Sequence, residues 1–261
     1  MPQRWQDLAT LMRAAYAGVM IATPPHFLDQ PIRAVVFDLD GTLIDSAPDL
    51  AHAVNAVLDE DSRDRLTLAQ VRRFIGDGAR VLVDRAMAET GDPLTGDALD
   101  SATRRFLDHY GAGLAVDTRM FAGATEMLSC LKVTGLAIGI CTNKPQTATE
   151  SVLAHFGLIR WVDAIGGGDR FPVRKPQPGH LEGVLRDLGV LAHEAVMVGD
   201  NEHDMAVARA VGTGSVLVSW GYARQPLGEI DADRRIDHLA ELPSLLGVVA
   251  ASTVDNPQPA S

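Results

Sequence analysis

The sequence predicts an α/β fold: a mostly parallel sheet covered on both faces by helices, with a second, smaller all-α domain inserted near its start. Three observations carry this. Short, continuously apolar runs of strand length recur along the chain, as in strands buried on both faces. Helical patterns lie between the later runs, which implies right-handed crossovers. One long interval after the first run, residues 46–118, contains helical segments and no clear strand.

In chain order, residues 1–30 combine a mixed-charge segment containing Asp7 with a short apolar run, Ala14 to Ile21. This is expected to be an extra helix or a poorly ordered extension, and not a signal peptide. The first strand is Ala34-Val35-Val36-Phe37. Helical segments follow at Pro48 to Glu60, Leu68 to Ile75, Ala79 to Glu89 and Gly96 to Tyr110, separated by loops containing Gly and Asp. Hinges to the main domain are expected at Asp45 to Pro48 and Asp117 to Gly123. Further strands are expected at Leu136 to Cys141, Trp161 to Ile165, Ala195 to Val198 and Ser215 to Val218. Helices are expected at Thr147 to Phe156, Gly179 to Leu188 and Asp204 to Val211. The expected organisation is therefore a discontinuous core of residues 31–45 and 119–248, a helical insert of residues 46–118, and a disordered tail from 249 to 261, where residues are small and polar.

With 261 residues, 46% of them hydrophobic, the chain has enough apolar material for a sizeable core. Its net charge of −11 provides no sequence-wide attraction to nucleic acid or to an anionic membrane. An anionic ligand needs a local cationic pocket, yet lysine occurs only at Lys132, Lys144 and Lys175. Cys130 and Cys141 form no CxxC pair and are expected to be reduced packing residues of a cytoplasmic protein. No apolar stretch approaches the length of a membrane span. Monomer and homodimer are both compatible with the sequence.

Three of the apolar runs end in polar clusters: Asp38-Leu39-Asp40-Gly41-Thr42, Thr142-Asn143-Lys144, and Gly199-Asp200-Asn201 with Asp204 following. Open parallel sheets bind ligands at the carboxyl ends of their strands, so these clusters converge on one edge. The loop carrying Arg174 and Lys175 reaches the same edge. Asp38, Asp40 and Asp200 would repel one another there, and a hard divalent cation resolves the repulsion. Few protein ligands and an anionic substrate suit Mg²⁺. Lys175, Thr142 and the backbone N–H groups around Gly41 then serve as phosphate contacts. Asp38, at the strand end, is positioned as a covalent nucleophile, and Asp40, two residues on, as an acid and then a base. Asn143 and Lys144 are either pocket groups or solvated loop residues. Asp204 either caps the following helix, orders the site through Lys175, or does both.

In these residues the chain resembles the haloacid dehalogenase superfamily, whose four motifs match in order: Asp38-Leu39-Asp40-Gly41-Thr42, Thr142, Lys175, and Gly199-Asp200 with Asp204. The resemblance spans about Ile32 to Gly247 and implies a Rossmann-like core with a mobile helical cap. It also implies Mg²⁺ held by the Asp38 carboxylate, the Asp40 backbone carbonyl and the Asp200 carboxylate. Within the superfamily the chain looks most like the phosphoglycolate phosphatases, through Asp45-Ser46-Ala47-Pro48-Asp49-Leu50, Phe74-Ile75-Gly76-Asp77-Gly78-Ala79, Thr142-Asn143-Lys144-Pro145 and Ile165-Gly166-Gly167-Gly168-Asp169. The expected activity is Mg²⁺-dependent hydrolysis of a small phosphorylated metabolite, 2-phosphoglycolate first, through an aspartyl phosphate. Arg80 is either a reader of the substrate carboxylate or an exposed arginine at a helix start.

Asp40 argues against a halide-removing member, which does not need a second aspartate. The absence of lysine between Ser46 and Thr118 argues against a phosphonate-cleaving member. A sugar-phosphate phosphatase or phosphomutase of the superfamily is the alternative within enzymes, and a non-catalytic module that binds a phosphometabolite is the alternative outside them. His52, His109, His155, His180 and His203 lack metal-ligand spacing and are expected to be structural or exposed; Trp161 and Trp220 are expected to be packing residues.

Overall fold

The computed structural model describes residues 25–248; residues 1–24 of the expected extension and the 249–261 tail lie outside them. His26–Phe27 (β1) and Gln30–Pro31 (β2) form a two-residue hairpin, with Leu28 and Asp29 at φ 49° and 63° as a type I′ turn requires. Residues 25–30, which the sequence assigned to the extension, thus lie against the main body: His26 N donates to Leu246 O, and Phe27 packs into the core.

Ala34–Phe37 (β3) runs through the middle of a six-stranded sheet. Its partners are Ala137–Cys141 (β6), Ala164–Gly166 (β7), Ala195–Gly199 (β8), Gly214–Val218 (β9) and Arg234–Ile236 (β10). The order is β10-β9-β8-β3-β6-β7, and neighbouring strands are parallel throughout. Side chains alternate between two apolar layers. Val35 and Phe37 join Ile138, Ile140, Val196 and Val198 on one face, while Ala34 and Val36 join Met197 on the other. Ala124–Val133 (α5) covers the first face through Leu128 and Leu131. Pro178–Leu188 (α7) and Glu202–Val211 (α8) cover the second through Leu181, Val184 and Val207. Each fully buried aliphatic side chain contributes roughly 1.5–3 kcal/mol, so burial on both faces explains why these strands read as unbroken apolar runs.

Between β3 and α5 stand Ala47–Glu60 (α1), Leu68–Arg72 (α2), Ala79–Glu89 (α3) and Gly96–Ala112 (α4). They pack around their own apolar cluster, which includes Val54, Leu58, Val83, Met87 and Phe106. Thr67 and Gln70 close a reciprocal capping box on α2. The α2 helix ends at Arg72, short of the expected Ile75, ahead of Gly76 and Gly78 at φ 115° and 90°. The two connections to the sheet lie side by side as an antiparallel ribbon, Ile44–Asp45 (β4) against Arg119–Met120 (β5). Buried Asp49 pins it: its carboxylate accepts from Asp117 N at 2.8 Å, Thr118 N at 3.0 Å and Thr118 Oγ1 at 2.6 Å.

One expected strand is shorter than the apolar run implied. Trp161 closes a one-turn helix, Ile159–Trp161, and β7 begins only at Ala164. The apolar character of Trp161 reflects its burial under the sheet. Gln146–His155 (α6) links β6 to that turn. Among the described residues, no helix is long and apolar enough to cross a membrane.

Candidate active site

The parallel register brings the ends of β3, β6 and β8 to one level: Phe37 pairs with both Ile140 and Val198. Asp38, Thr142 and Asp200 therefore leave neighbouring strands at the same sheet edge, all three buried. Asp38 N still donates to Val198 O, which fixes its backbone at the end of the ladder. The chain then turns back on itself, and Gly41 N donates to Ile44 O at 2.8 Å. Gly41 sits at φ 87°, and a Cβ there would fall 2.3 Å from Asp200 Oδ2. Glycine is required on both counts, conformation and close approach.

Lys175 Nζ lies 2.9 Å from Asp38 Oδ1 and 2.6 Å from Asp204 Oδ1. The other oxygen of Asp204 accepts from Asp200 N and Asn201 N, at the start of α8. Asp204 thus both caps the helix and holds the lysine. Burial works against charge on Lys175, but Asp204 and Asp38 outweigh it and hold the ammonium above the usual lysine range. Asp200 Oδ2 accepts from Tyr222 N at 2.5 Å and Oδ1 from Asn201 Nδ2 at 2.9 Å. Ligand atoms of Asp38, Asp200 and Asp204 all lie within 4.8 Å of one another. Burial, then the charges of Asp204 and Asp38, push the Asp200 carboxyl well above the usual carboxylate range.

Asp40 stands beside this cluster. Its Oδ1 accepts from Ser46 Oγ at 2.6 Å, and Lys144 Nζ lies 3.1 and 3.2 Å from its two oxygens. Four carboxylates (Asp38, Asp40, Asp200, Asp204) thus face two ammonium groups, and a divalent cation would bring the cluster to neutrality. The donor set is all oxygen, which fits a hard cation. The residues therefore form an acidic group able to hold a divalent metal.

Of the other residues singled out from sequence, Asn143 is buried and spans three segments. Its Nδ2 donates to Lys175 O at 3.0 Å and to Gly76 O, before α3, at 2.8 Å. Arg80 is not brought into the cleft: its Nε donates to Asp100 Oδ1 at 2.9 Å on an exposed face. Arg80 lies in the first turn of α3, paired with Asp100 of α4 and outside the residues that line the cleft.

Sequence reasoning left Lys144 open and missed Tyr110, Tyr222 and Ser46. Lys144 is 6% exposed, and its Nζ donates to Tyr110 OH at 2.7 Å. Its signal was there in the sequence, as a rare lysine two residues after Thr142. Tyr222 carried none, since it reaches Asp200 only because β9 is adjacent to β8. His180 is structural, as expected. Its Nδ1 accepts from Lys175 N at 3.0 Å, so Nε2, 3.1 Å from Gly166 O, carries the proton. Burial raises the Cys141 thiol to about 12, in keeping with a packing role.

Comparison with known proteins agrees with this geometry. Residues 35–218 match the haloacid dehalogenase-like hydrolase family. A phosphoglycolate phosphatase of Rhodospirillum rubrum is 41% identical over 219 residues, 82% of this chain and 91% of that protein. One from Caulobacter vibrioides is 37% identical over 209 residues, 80% of this chain and 88% of that protein. The crystal structure of a predicted phosphoglycolate phosphatase from Haemophilus somnus superposes with a TM-score of 0.77 at 30% identity, covering 82% of this chain and 97% of that one. The fold is shared as well by CbbY from Rhodobacter sphaeroides, solved in complex with phosphate, with a TM-score of 0.72 at 24% identity over 82% of this chain and 99% of that one. The chain belongs to the haloacid dehalogenase-like hydrolase family, and within it to the phosphatases.

Proposed function

We propose that this phosphatase hydrolyses 2-phosphoglycolate with Mg²⁺ as its metal, through an aspartyl phosphate on Asp38. The observation that carries the reading is the meeting of Asp38, Asp200 and Lys175 at one sheet edge, with Asp40 alongside. The substrate comes from the relatives, which are phosphoglycolate phosphatases.

Asp38, the Asp40 backbone carbonyl and Asp200 would hold the ion, which supplies charge neutralisation at the phosphoryl oxygens when bound. Lys175, Thr142, Asn143 and the backbone at Gly41 bind and orient the phosphoryl group. An Asp38 oxygen attacks phosphorus, the bond to the ester oxygen breaks, and Asp40 gives that oxygen a proton. Asp40 then takes a proton from the water that attacks the acyl phosphate, releasing inorganic phosphate and restoring Asp38. Ser46 and Lys144 hold the Asp40 carboxyl in place for both steps. Asp204 orders Lys175. In this reading residues 46–118 act as a cap on a core of 31–45 and 119–248, moving about the β4–β5 ribbon and excluding bulk water when closed. The protein acts in the cytoplasm on a small phosphorylated acid, with no nucleic acid or membrane partner.

A panel of phosphate monoesters assayed with Mg²⁺ tests the reading. Phosphate release is expected from 2-phosphoglycolate, and Asp38→Asn should abolish it. A folded protein that releases phosphate from no monoester refutes the proposal.

A further inference from the structure

We propose that Lys144 and Tyr110 form an anion subsite that reads a carboxylate on the leaving group of the substrate; the proposal rests on the phosphatase reading above and specifies which chain groups select the substrate. The cleft between the sheet edge and the helical block has two unlike walls. Asp38, Asp40, Thr142 and Lys144 line one. Leu50, Ile75, Leu82 and Phe106 line the other. A phosphoryl group attached near Asp38 directs the rest of its ester into this space.

With Lys175 held between Asp38 and Asp204 for the phosphoryl group, Lys144 is the one further cation among the described residues that line the cleft. Arg80, the cation the sequence offered for this task, is engaged with Asp100 outside it. Lys144 is buried, and an ammonium held out of water is costly unless anions compensate it. Asp40 compensates it in the free protein. Tyr110 adds a second donor. Its hydroxyl oxygen accepts from Lys144 Nζ at 2.7 Å, and no acceptor among the described residues receives the hydroxyl proton. The ring lies under the same ammonium, 4.4 Å from centroid to Nζ, and stacks on Phe106, so its position is fixed. An ammonium and a phenolic O–H side by side offer a carboxylate two donors. The apolar wall opposite strengthens that contact by excluding water, and it offers no partners to the hydroxyl groups of a sugar. The pairing therefore favours a short acid over a sugar phosphate.

The test compares kcat/KM for 2-phosphoglycolate with that for ethyl phosphate, which has the same reacting group and no carboxylate, in the wild-type chain, Lys144→Met and Tyr110→Phe. Lys144 also touches Asp40, so any loss of chemistry lowers both rates and cancels in their ratio. The wild type should favour phosphoglycolate. The ratio should fall about 10- to 100-fold in Lys144→Met and about 3- to 10-fold in Tyr110→Phe. Tyr110→Phe keeps the ring and its stacking, so it decides the matter if Lys144→Met does not fold by circular dichroism. A ratio unchanged in the folded variants overturns the subsite alone and leaves Lys144 as a partner of Asp40. A wild-type enzyme that turns over ethyl phosphate and not phosphoglycolate overturns the substrate reading and the subsite with it.

Discussion

Asp200→Asn should make the metal-free protein less sensitive to pH while destroying its response to metal. Asp200 is fully buried, with an oxygen within 4.8 Å of oxygens on Asp38 and Asp204. At an effective dielectric of about 20, two like charges at that separation repel by roughly 3 kcal/mol. Burial and these two neighbours raise the folded carboxyl above its unfolded value. The sign follows from linkage. Below the unfolded value, about 4, both states are protonated and folding carries no penalty from this group. As pH rises above that value the unfolded chain releases the proton and the folded chain retains it. Stability is then lost by up to about 1.4 kcal/mol per pH unit. Asparagine removes that slope. It also turns an N–H toward either Tyr222 N or Asn201 Nδ2, both donors to Asp200, at a cost of about 1–3 kcal/mol. The variant should therefore lose stability at pH 5 and recover relative to the parent by pH 8. Urea denaturation in EDTA at the two pH values measures this. The same titrations with Mg²⁺ should stabilise the parent, by about 2.7 kcal/mol at a hundredfold excess over Kd, and leave the variant unmoved. A stability difference between parent and variant that is equal at pH 5 and pH 8 in EDTA refutes the electrostatic account.

Asp204→Ala should cost about 3–5 kcal/mol in urea denaturation, because it strips a buried ammonium of one partner and two N–H groups of their acceptor; a loss under 1 kcal/mol contradicts the arrangement. His180, whose pKa burial and then Lys175 lower to about 4, should show the neutral Nε2–H tautomer in ¹⁵N NMR at pH 5.5. Its contribution to stability is present above about 6.5 and is lost as pH falls towards 4, and a His180 titration near 6.5 sinks this prediction. Gly41→Ala should lower kcat at least tenfold with the fold intact by circular dichroism, since the new methyl meets both Asp200 and the Tyr222 ring; unchanged kinetics would show that the turn has room to give.

The buried core strands were legible because each is apolar on both faces. Ala34–Phe37 was read to the residue, and β6, β8 and β9 to within one at either end. The hairpin of β1 and β2 and the ribbon of β4 and β5 were not, because two-residue strands are too short to show alternation. Strand β10 was missed for a related reason: at the sheet edge it reads Arg-Arg-Ile, with two exposed residues and one buried. Trp161 shows the converse error, an apolar residue credited to a strand when tertiary burial alone explains it.

The site divides along the same line. Asp38, Thr142 and Asp200 follow strands, so the rule that strand ends share an edge was enough to bring them together. Residues that arrive through tertiary packing followed no such rule. Tyr110 comes from the far end of a 17-residue helix, and Tyr222 from the loop after β9. Arg80 has the charge of a carboxylate reader and a place beside a glycine-rich turn, which left both of its readings open, because charge does not fix direction. A helix start with Asp100 on a neighbouring helix takes its guanidinium sideways. The cation that does face the cleft, Lys144, had to be one whose backbone is already fixed there by β6. Its position two residues after Thr142 commits it to the sheet edge whatever the helical block does. A group that must meet the far end of a small substrate is best carried by the sheet, whose strand ends are fixed, and the helical block adds a second contact to it through Tyr110. If the helical block moves as proposed, opening it separates Tyr110 from Lys144 while Lys144 stays with Asp40. The Tyr110-dependent part of the emission, taken as the difference between Asp38→Asn and Asp38→Asn/Tyr110→Phe because two other tyrosines and three tryptophans also emit, is then the reporter: it should change when phosphoglycolate binds and remain constant when inorganic phosphate binds alone.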